Sequence, residues 1–326
     1  MDQIKIFDSF NRQKALIIGD VMVDAYLWGR VDRISPEAPV PVVSVEKRAS
    51  RLGGAANVAL NVKALGAEPI PCAVIGNDRK GDEFTKLLQK RNISAEGIIA
   101  SKYRHTTTKF RVIGNNTQML RVDEETIKEL NEEEEQAFID NCKNVIQKTS
   151  PHVIIFEDYD KGLITPHLIQ TVEKLAEQMK IPVVADPKIN NFLNYRNLSL
   201  FKPNLKELEL GLKLDAFHSF KEIEKAVFKV QDMQGHQMVM VTMSEDGLMM
   251  SNGREIFRVP AHYRSIADVS GAGDTVVAVA ALCLAQKLDM RTIAAISNLA
   301  GGLVCEQVGV IPIDKKTLSR EVNRLL

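Results

Sequence analysis

No G-x-x-x-x-G-K-[ST] stretch occurs in these 326 residues, so a nucleotide phosphate would have to be held without a P-loop. The dinucleotide fingerprint is also missing. The nearest approach, Gly271-Ala272-Gly273, lacks its third glycine and lies near the C-terminus. The four cysteines, Cys72, Cys142, Cys283 and Cys305, include no C-x-x-C pair and sit in apolar or helical contexts. They read as small buried hydrophobes rather than disulfide or metal partners. The six histidines form no H-x-x-x-H or H-E-x-x-H pattern, which argues against a structural zinc. Neither sign of charge is in excess: 42 basic and 42 acidic residues leave no electrostatic footprint for nucleic acid or membrane. No apolar run reaches membrane length, and the N-terminal "MDQIKIFDSFNRQK" lacks the apolar core of a signal peptide. The sequence therefore predicts a cytoplasmic protein. With no Pro-rich or Gly/Ser-rich tract to act as a linker, residues 1–326 read as a single domain.

What is present is an alternation of short Val/Ile-rich runs with helical patterns. Residues 15–20, 69–76, 152–158, 181–186 and 237–243 are continuous apolar runs, as expected of strands covered on both faces of a parallel sheet. Helix starts are marked between them. Thr165-Pro166 places a cap and then proline at the first helical position. Ser219 with Glu222 predicts a capping box, and Gly235 ends the same helix. The acidic run Glu132 to Glu135 follows Asn131 and suits the positive end of a helix dipole. The pattern is an open α/β sheet, whose ligands belong at the carboxyl ends of the strands. Residues 21–47 and 104–123 interrupt it with extended segments and no helix, the second a hairpin around Gly114-Asn115-Asn116. Together they predict a small β-sheet lid over the strand ends.

Two glycine stretches carry the chemistry. "DVSGAGDT", residues 268–275, places Gly271, Ala272, Gly273 and Asp274 before a run of small apolar residues. Free amides at such a helix start point at an anion, and the helix dipole favours it. An aspartate among them has a use if a hydroxyl must lose its proton while a phosphoryl group arrives. The alternative is a glycine turn with an acid near a helix start. "RLGGAANVALNVKALG", residues 51–66, sets Gly53-Gly54 before a second small-residue helix, with Asn57 in its first turn. An amide there can both donate to and accept from a polyhydroxylated ligand. Small residues on a helix also serve close packing.

Jointly, the two stretches resemble the paired signatures of the ribokinase-like (PfkB) carbohydrate kinases. Gly66, Gly76, "KPNLKELE" (202–209) and "VTMSEDG" (241–247) follow in that family's order over nearly the whole chain. The resemblance implies a three-layer α/β sandwich, mostly parallel, with helices on both faces of the sheet and a β-lid. It implies an ATP-dependent sugar kinase with Asp274 as general base, an anion hole from Gly271, Ala272 and Gly273, and Mg²⁺ bridging the phosphates. The nucleotide site then falls to Asn204, Glu207, Thr242, Ser244 and Gly247, with Asn298 beside the adenine. Members commonly carry Thr and Phe where this chain has Val269 and Val276, two apolar changes that leave Gly-Ala-Gly-Asp intact. Within the family, residues 19–43 ("GDVMVDAYLWGRVDRISPEAPVPVV"), "LGGAANVALNV", "TTTKFRV", "DPK" and "DVSGAGDTV" resemble the bacterial heptose 7-phosphate kinases. That branch implies phosphorylation of the anomeric C1 hydroxyl of D-glycero-D-manno-heptose 7-phosphate, toward ADP-heptose for lipopolysaccharide. Many of its members are fused to a nucleotidyltransferase with an H-x-G-H motif. None occurs here, which predicts the stand-alone kinase form.

Asp20 and Asp24, at the end of the first strand and just beyond, are candidates to bind sugar hydroxyls; the alternative is a pair of turn acids. Gly53, Gly54 and Asn57 join them. The distal phosphate needs cations, and Arg33, Lys109, Arg111, Arg121 and Lys188 are the candidates, at least two of which should touch it. A lone Arg on a lid strand is otherwise a solvated edge charge, and Lys188 has a second option at the nucleotide phosphates. Asp158 reads as a metal–water contact or as a loop-capping acid. Family members often bind a monovalent cation such as K⁺, for which Asp268 and Ser270 are candidates. Tyr26 and Trp28 either stack on sugar or pack between two lids, and the expected assembly is a homodimer through the lid. The partner is a small sugar phosphate; nucleic acid and membrane are not expected. A different sugar specificity within the family, a non-catalytic nucleotide-binding regulator and an oxidoreductase are the competing readings.

Overall fold

The Val/Ile-rich runs form strands because both of their faces are covered. The computed structural model describes residues 3–262, 266–307 and 309–325. After helix α1 (Gln3–Phe10), strand β1 (Lys14–Gly19) opens the main sheet, and β2 (Val21–Ile34) and β3 (Pro41–Gly54) leave it as a long hairpin. Helix α2 (Ala55–Ala64), β4 (Glu68–Gly76), α3 (Arg79–Lys90) and β5 (Gly97–Ser101) come next. A second hairpin follows, β6 (Thr108–Gly114) and β7 (Thr117–Glu124). The alternation resumes with α4 (Glu132–Thr149), β8 (Val153–Glu157), α5 (Pro166–Met179), β9 (Val183–Asp186) and the short β10 (Leu200–Phe201). Helices α6 (Leu205–Gly211) and α7 (Phe220–Gln234) precede β11 (Val239–Thr242), β12 (Leu248–Ser251) and β13 (Ile256–Val259). Helices α8 (Ala272–Ala285), α9 (Met290–Cys305) and α10 (Lys315–Leu325) end the described chain.

Nine strands lie in the order β13-β12-β11-β10-β9-β8-β1-β4-β5. From β11 to β5 every neighbouring pair is parallel; β12 and β13 add an antiparallel edge. The order reverses at β1, which pairs with both β4 and β8, and ligands of such sheets bind at that switch. Helices α2, α8, α9, α10 and α1 pack on one another in a chain, and α4 with α5 and α6 with α7 form the opposing groups. Helix α8 is apolar all round and is buried from Asp274 to Cys283, as such a helix must be. Strands β5, β10, β12 and β13 do not stand out in the sequence, because each is short and leans on its neighbours for definition.

The lid is a four-stranded sheet in the order β3-β2-β6-β7. Its hairpin turn has Asn115 and Asn116 both at positive φ (51° and 63°), the pair of values a two-residue primed turn requires. Strand β3 runs past residue 47 to Gly54, so the first glycine pair is strand end rather than loop. Thr165, Ser219 and Asn131 cap their helices, accepting from the backbone N–H groups of Leu168, Glu222 and Glu134. Gly235 ends α7 at φ 74°. The expected capping box at Ser219 is not closed, because Glu222 accepts from the N–H of His218 instead.

Gly54 joins the lid to the core. It lies at φ 60°, ψ −139°, and a Cβ there would stand 2.4 Å from the backbone oxygen of Asp20. Gly54→Ala is expected to lower stability by about 3 kcal/mol, combining backbone strain with a steric clash. Urea denaturation would show it as a lower midpoint with an unchanged slope.

Candidate active site

Helix α8 begins without a side-chain cap, at Gly271 with φ 81°. A Cβ on Gly271 would lie 2.9 Å from the amide nitrogen of Asn57, so glycine lets the helix start sit directly on α2. The first-turn amides of an uncapped helix have no intrahelical partner and carry the positive end of its dipole. Asp274 stands in that turn and is buried at 8% exposure. Asn57 Nδ2 donates to one carboxylate oxygen at 2.6 Å, and Tyr159 Oη donates to the other at 2.8 Å. Burial pushes the carboxyl pKa up, and these two donors pull it partly back. A desolvated, oriented carboxylate whose pKa moves toward neutrality is suited to proton abstraction. Thr275 extends the contact between the helices, its hydroxyl bonding Asn61 Oδ1 at 3.1 Å.

Three strand ends form the floor. Lys202, after β10, is fully buried and ion-paired with Asp186, at the end of β9, at 2.8 Å. A Cβ added at Gly273 would be 3.8 Å from the Asp186 carboxylate and 3.9 Å from the Lys202 ammonium, so this pair lies under the helix start. Burial works against the charge on Lys202, but Asp186 and Glu207 outweigh it and raise its pKa. Glu157, at the end of β8, is buried with Oε2 unpartnered among the described residues. Burial, then the Asp186 and Asp274 carboxylates, push its pKa well up. No motif in the sequence by itself marks Tyr159, Glu157, Asp186 or Lys202 as a site residue. Their one legible signal was a polar residue closing or directly following an apolar strand run.

The residues expected at the nucleotide line up in one direction from this floor. Lys188 pairs with Glu207 rather than with the lid. Glu207 and Asn204 close a capping box on α6, Asn204 Oδ1 accepting at 2.9 Å and Glu207 Oε2 at 2.8 Å. Asn204 bridges to Thr242 at the end of β11. Ser244 and Gly247 bound the next turn, where a Cβ on Gly247 would meet the Val259 oxygen at 2.1 Å. Asn298, on α9, donates to the Pro260 oxygen at 2.9 Å beside that turn.

The residues expected at the sugar line the other side. Asp20 accepts from the backbone N–H groups of Tyr159 at 2.9 Å and Lys161 at 3.2 Å. Asp24 pairs with Arg111 at 2.5 Å, and Gly53 leaves room for the Asp24 carboxylate, which a Cβ would approach to 2.4 Å. Lys109 contacts Asp123 at 3.2 Å and Glu125 at 3.6 Å. Lys161, which nothing in its sequence context marks, shares Glu125 at 2.8 Å. Arg121 lies opposite Arg111 but is half exposed and held by Asp123 at 2.9 Å. Arg33 is not brought to the site. It lies nine residues along β2 from Asp24, roughly 30 Å at the usual strand rise, and is exposed.

The metal candidates have protein partners. Asp268 accepts from the N–H groups of Ser270 and Gly309, each at 2.9 Å, tying two loops together. Asp158 accepts from the Asp160 N–H at 2.8 Å, Asn191 at 3.1 Å and Tyr195 at 3.3 Å. A large depression of about 1350 Å³ opens elsewhere, among Pro151, Lys180, Arg196 and Leu288 at the amino ends of the strands. The convergence of carboxylate, amides and buried lysine at the opposite ends, rather than concavity, locates the site.

Residues 12–317 match the pfkB family of carbohydrate kinases. The chain belongs to that family. It is 38% identical over 315 residues to the bifunctional protein HldE of Desulfatibacillum aliphaticivorans, covering 96% of this chain and 64% of that protein. To HldE of Helicobacter pylori strain P12 it is 38% identical over 299 residues, covering 91% of this chain and again 64% of that protein. The chain thus spans less than two thirds of those relatives. Phosphofructokinase-2 from Escherichia coli, in complex with potassium, superposes with a TM-score of 0.78 at 16% identity, covering 96% of this chain and 99% of that one. Arabidopsis thaliana ribokinase, complexed with ribose and ATP, gives 0.70 at 15% identity, covering 94% and 99%. At such identities the likeness is one of fold: the ribokinase-like α/β arrangement. No helix among the described residues is long and apolar enough to cross a membrane.

Burial, with Asp20 nearby, raises the Asp158 pKa to about 7. The unfolded value is about 3.9, so between these limits the folded protein holds the extra proton. Its contribution to stability is therefore greatest below the unfolded value and declines as pH rises toward 7. Asp158→Asn is expected to make the fall in urea midpoint between pH 5 and pH 8 shallower than in the unaltered protein. An unchanged slope would show that Asp158 titrates normally.

Proposed function

We propose that this pfkB-family kinase transfers the γ-phosphoryl of ATP to the C1 hydroxyl of D-glycero-D-manno-heptose 7-phosphate, giving the 1,7-bisphosphate for ADP-heptose. One observation carries the phosphoryl-transfer reading: a buried carboxylate, Asp274, fixed by two donors beside uncapped amides and the Lys202–Asp186 pair. The heptose assignment is supported by the sugar-side segments and by the identity to the HldE proteins.

In this reading the C1 hydroxyl approaches Asp274, which takes its proton as the oxygen attacks the γ-phosphorus in line and the bond to the β–γ bridging oxygen breaks, releasing ADP. The amides of Gly271, Ala272 and Gly273 hold the developing charge on the phosphoryl oxygens, where desolvation strengthens each contact. Asn204, Thr242, Ser244, Gly247 and Asn298 receive the nucleotide, with Glu207 and Lys188 between them and the phosphates. The unpartnered Glu157 oxygen beside Asp186 fits a hydrated magnesium ion by donor chemistry. When bound, that ion neutralises phosphate charge. Asp20, Asp24 and Asn57 bind sugar hydroxyls, and Lys109 and Arg111 lie nearest the distal phosphate. Asp268 and the Ser270 turn are the place for a monovalent cation such as K⁺.

The lid exposes Ile34, Val40, Val45, Leu120 and Val122, each more than two fifths accessible. Tyr26 and Trp28 stack at 5.2 Å on the same sheet. Such exposed apolar residues on a small sheet support a homodimer built lid to lid. Sedimentation of the protein is expected to give a dimer that Val122→Asp converts to monomer; a dimer that survives the charge would place the interface elsewhere.

Asp274→Asn is expected to lower turnover by at least about a thousandfold while leaving ATP affinity within a few-fold. ADP release measured with heptose 7-phosphate, fructose 6-phosphate and ribose tests the acceptor. Preference for either of the latter two would assign the chain to another sugar within the family. Undiminished turnover in the Asn variant would remove Asp274 from the chemistry.

A further inference from the structure

The Tyr159 hydroxyl is one of two side-chain groups hydrogen-bonded to the Asp274 carboxylate among the described residues. It belongs to neither glycine signature and reaches the carboxylate from a loop between β8 and α5. That loop is braced at several points. Asp20 accepts from the N–H groups of Tyr159 and Lys161, and Asp158 accepts from the N–H of Asp160. Lys161 reaches out to Glu125 just beyond β7, and the Lys188 ammonium lies 5.6 Å from the centroid of the Tyr159 ring. A phenol so constrained is placed by the fold rather than resting there by chance.

We propose that Tyr159 is a positioning residue that keeps Asp274 ionised and fixes the plane of its carboxylate, so that the base is ready before the sugar arrives. This rests on the phosphoryl-transfer reading. Asn57 holds one oxygen and Tyr159 the other, which leaves the carboxylate one orientation and a remaining lone pair on each oxygen for the incoming hydroxyl. The groups facing Asp274 are Asn57 from α2, Tyr159 from the loop, Glu157 from β8, Asp186 from β9 and Lys202 after β10. Burial and Asp186 favour the protonated acid; Asn57, Tyr159 and Lys202 favour the carboxylate. Tyr159 itself stays a neutral donor, because burial and the adjacent Asp274 and Glu157 charges push its pKa well up. Without the phenol the balance shifts further toward the protonated acid, and the carboxylate forms only at higher pH.

The test compares the unaltered enzyme with Tyr159→Phe, which keeps the ring and removes only the hydroxyl. A hydrogen bond to a charged group is worth enough to move the acid limb of the kcat profile upward by about one to two pH units. KM for ATP is expected to stay within about twofold, since the nucleotide side is untouched. Replacing the Tyr159 phenol by its 3-fluoro analogue strengthens the donor without altering the packing, and should move the limb the opposite way. The protonation of Asp274 is also readable without substrate, as the difference in carboxyl infrared absorption between each protein and its Asp274→Asn counterpart through a pH titration. An acid limb and infrared titration that both stay in place, whatever the fall in rate, would overturn the role. Should no sugar phosphate be turned over by the unaltered enzyme, the functional reading fails alone, and the infrared titration still decides the part played by Tyr159.

Discussion

Everything at this site depends on a carboxylate being taken out of water at a helix start that no side chain caps. Asp274 would be an ordinary acid if it faced solvent, and the start of α8 would be an ordinary helix end if a serine or threonine capped it. Glycine at 271 prevents the cap and lets Asn57 come within reach. The cost of burying the charge is offset by two donors from distant parts of the chain, so the site exists only when α2, α8 and the loop after β8 are all in place. Helix α8 itself has no solvated face, being apolar all round and buried from Asp274 to Cys283.

The charges below the helix follow a second rule. Lys202 and Asp186 are both nearly inaccessible, and either alone would be expensive to bury. Paired, they set one cation and one anion beneath Gly273, with the Lys188–Glu207 pair continuing the alternation outward, while Glu157 sits unpaired beside the acids and is pushed toward its protonated form. A buried cluster of this kind adds little to stability, because the desolvation of its charges offsets their attraction.

The parts of this arrangement that could be read in the sequence are those written in local chemistry. Glycine spacing marked the starts of α8 and α2, apolar runs marked β1, β4, β8, β9 and β11, and helix caps marked α4, α5 and α7. Asp274, Asn57 and Asp24 were visible because they lie within or beside those marks. Tyr159, Lys161 and Lys202 were not, because a tyrosine or lysine after an apolar strand has the same appearance whether it points to solvent or to a buried acid. Arg33 shows the converse. Its neighbours in sequence suggest a phosphate ligand, yet the length of β2 carries it far from Asp24. Strand register and pairing partners decide such cases, and neither is local.

A single residue, Asp20, separates the core strand β1 from the lid strand β2, and no residue separates β3 from α2 at Gly54. These two attachments are tied to each other, for the Ala55 N–H donates to the Asp20 oxygen at 2.9 Å. The smaller sheet therefore has its fulcrum at Asp20 and Gly54, with no intervening spacer to absorb rotation. Any rotation of that sheet would turn the roots of both strands and would be felt at once by Asp20, the acid that anchors the tyrosine loop.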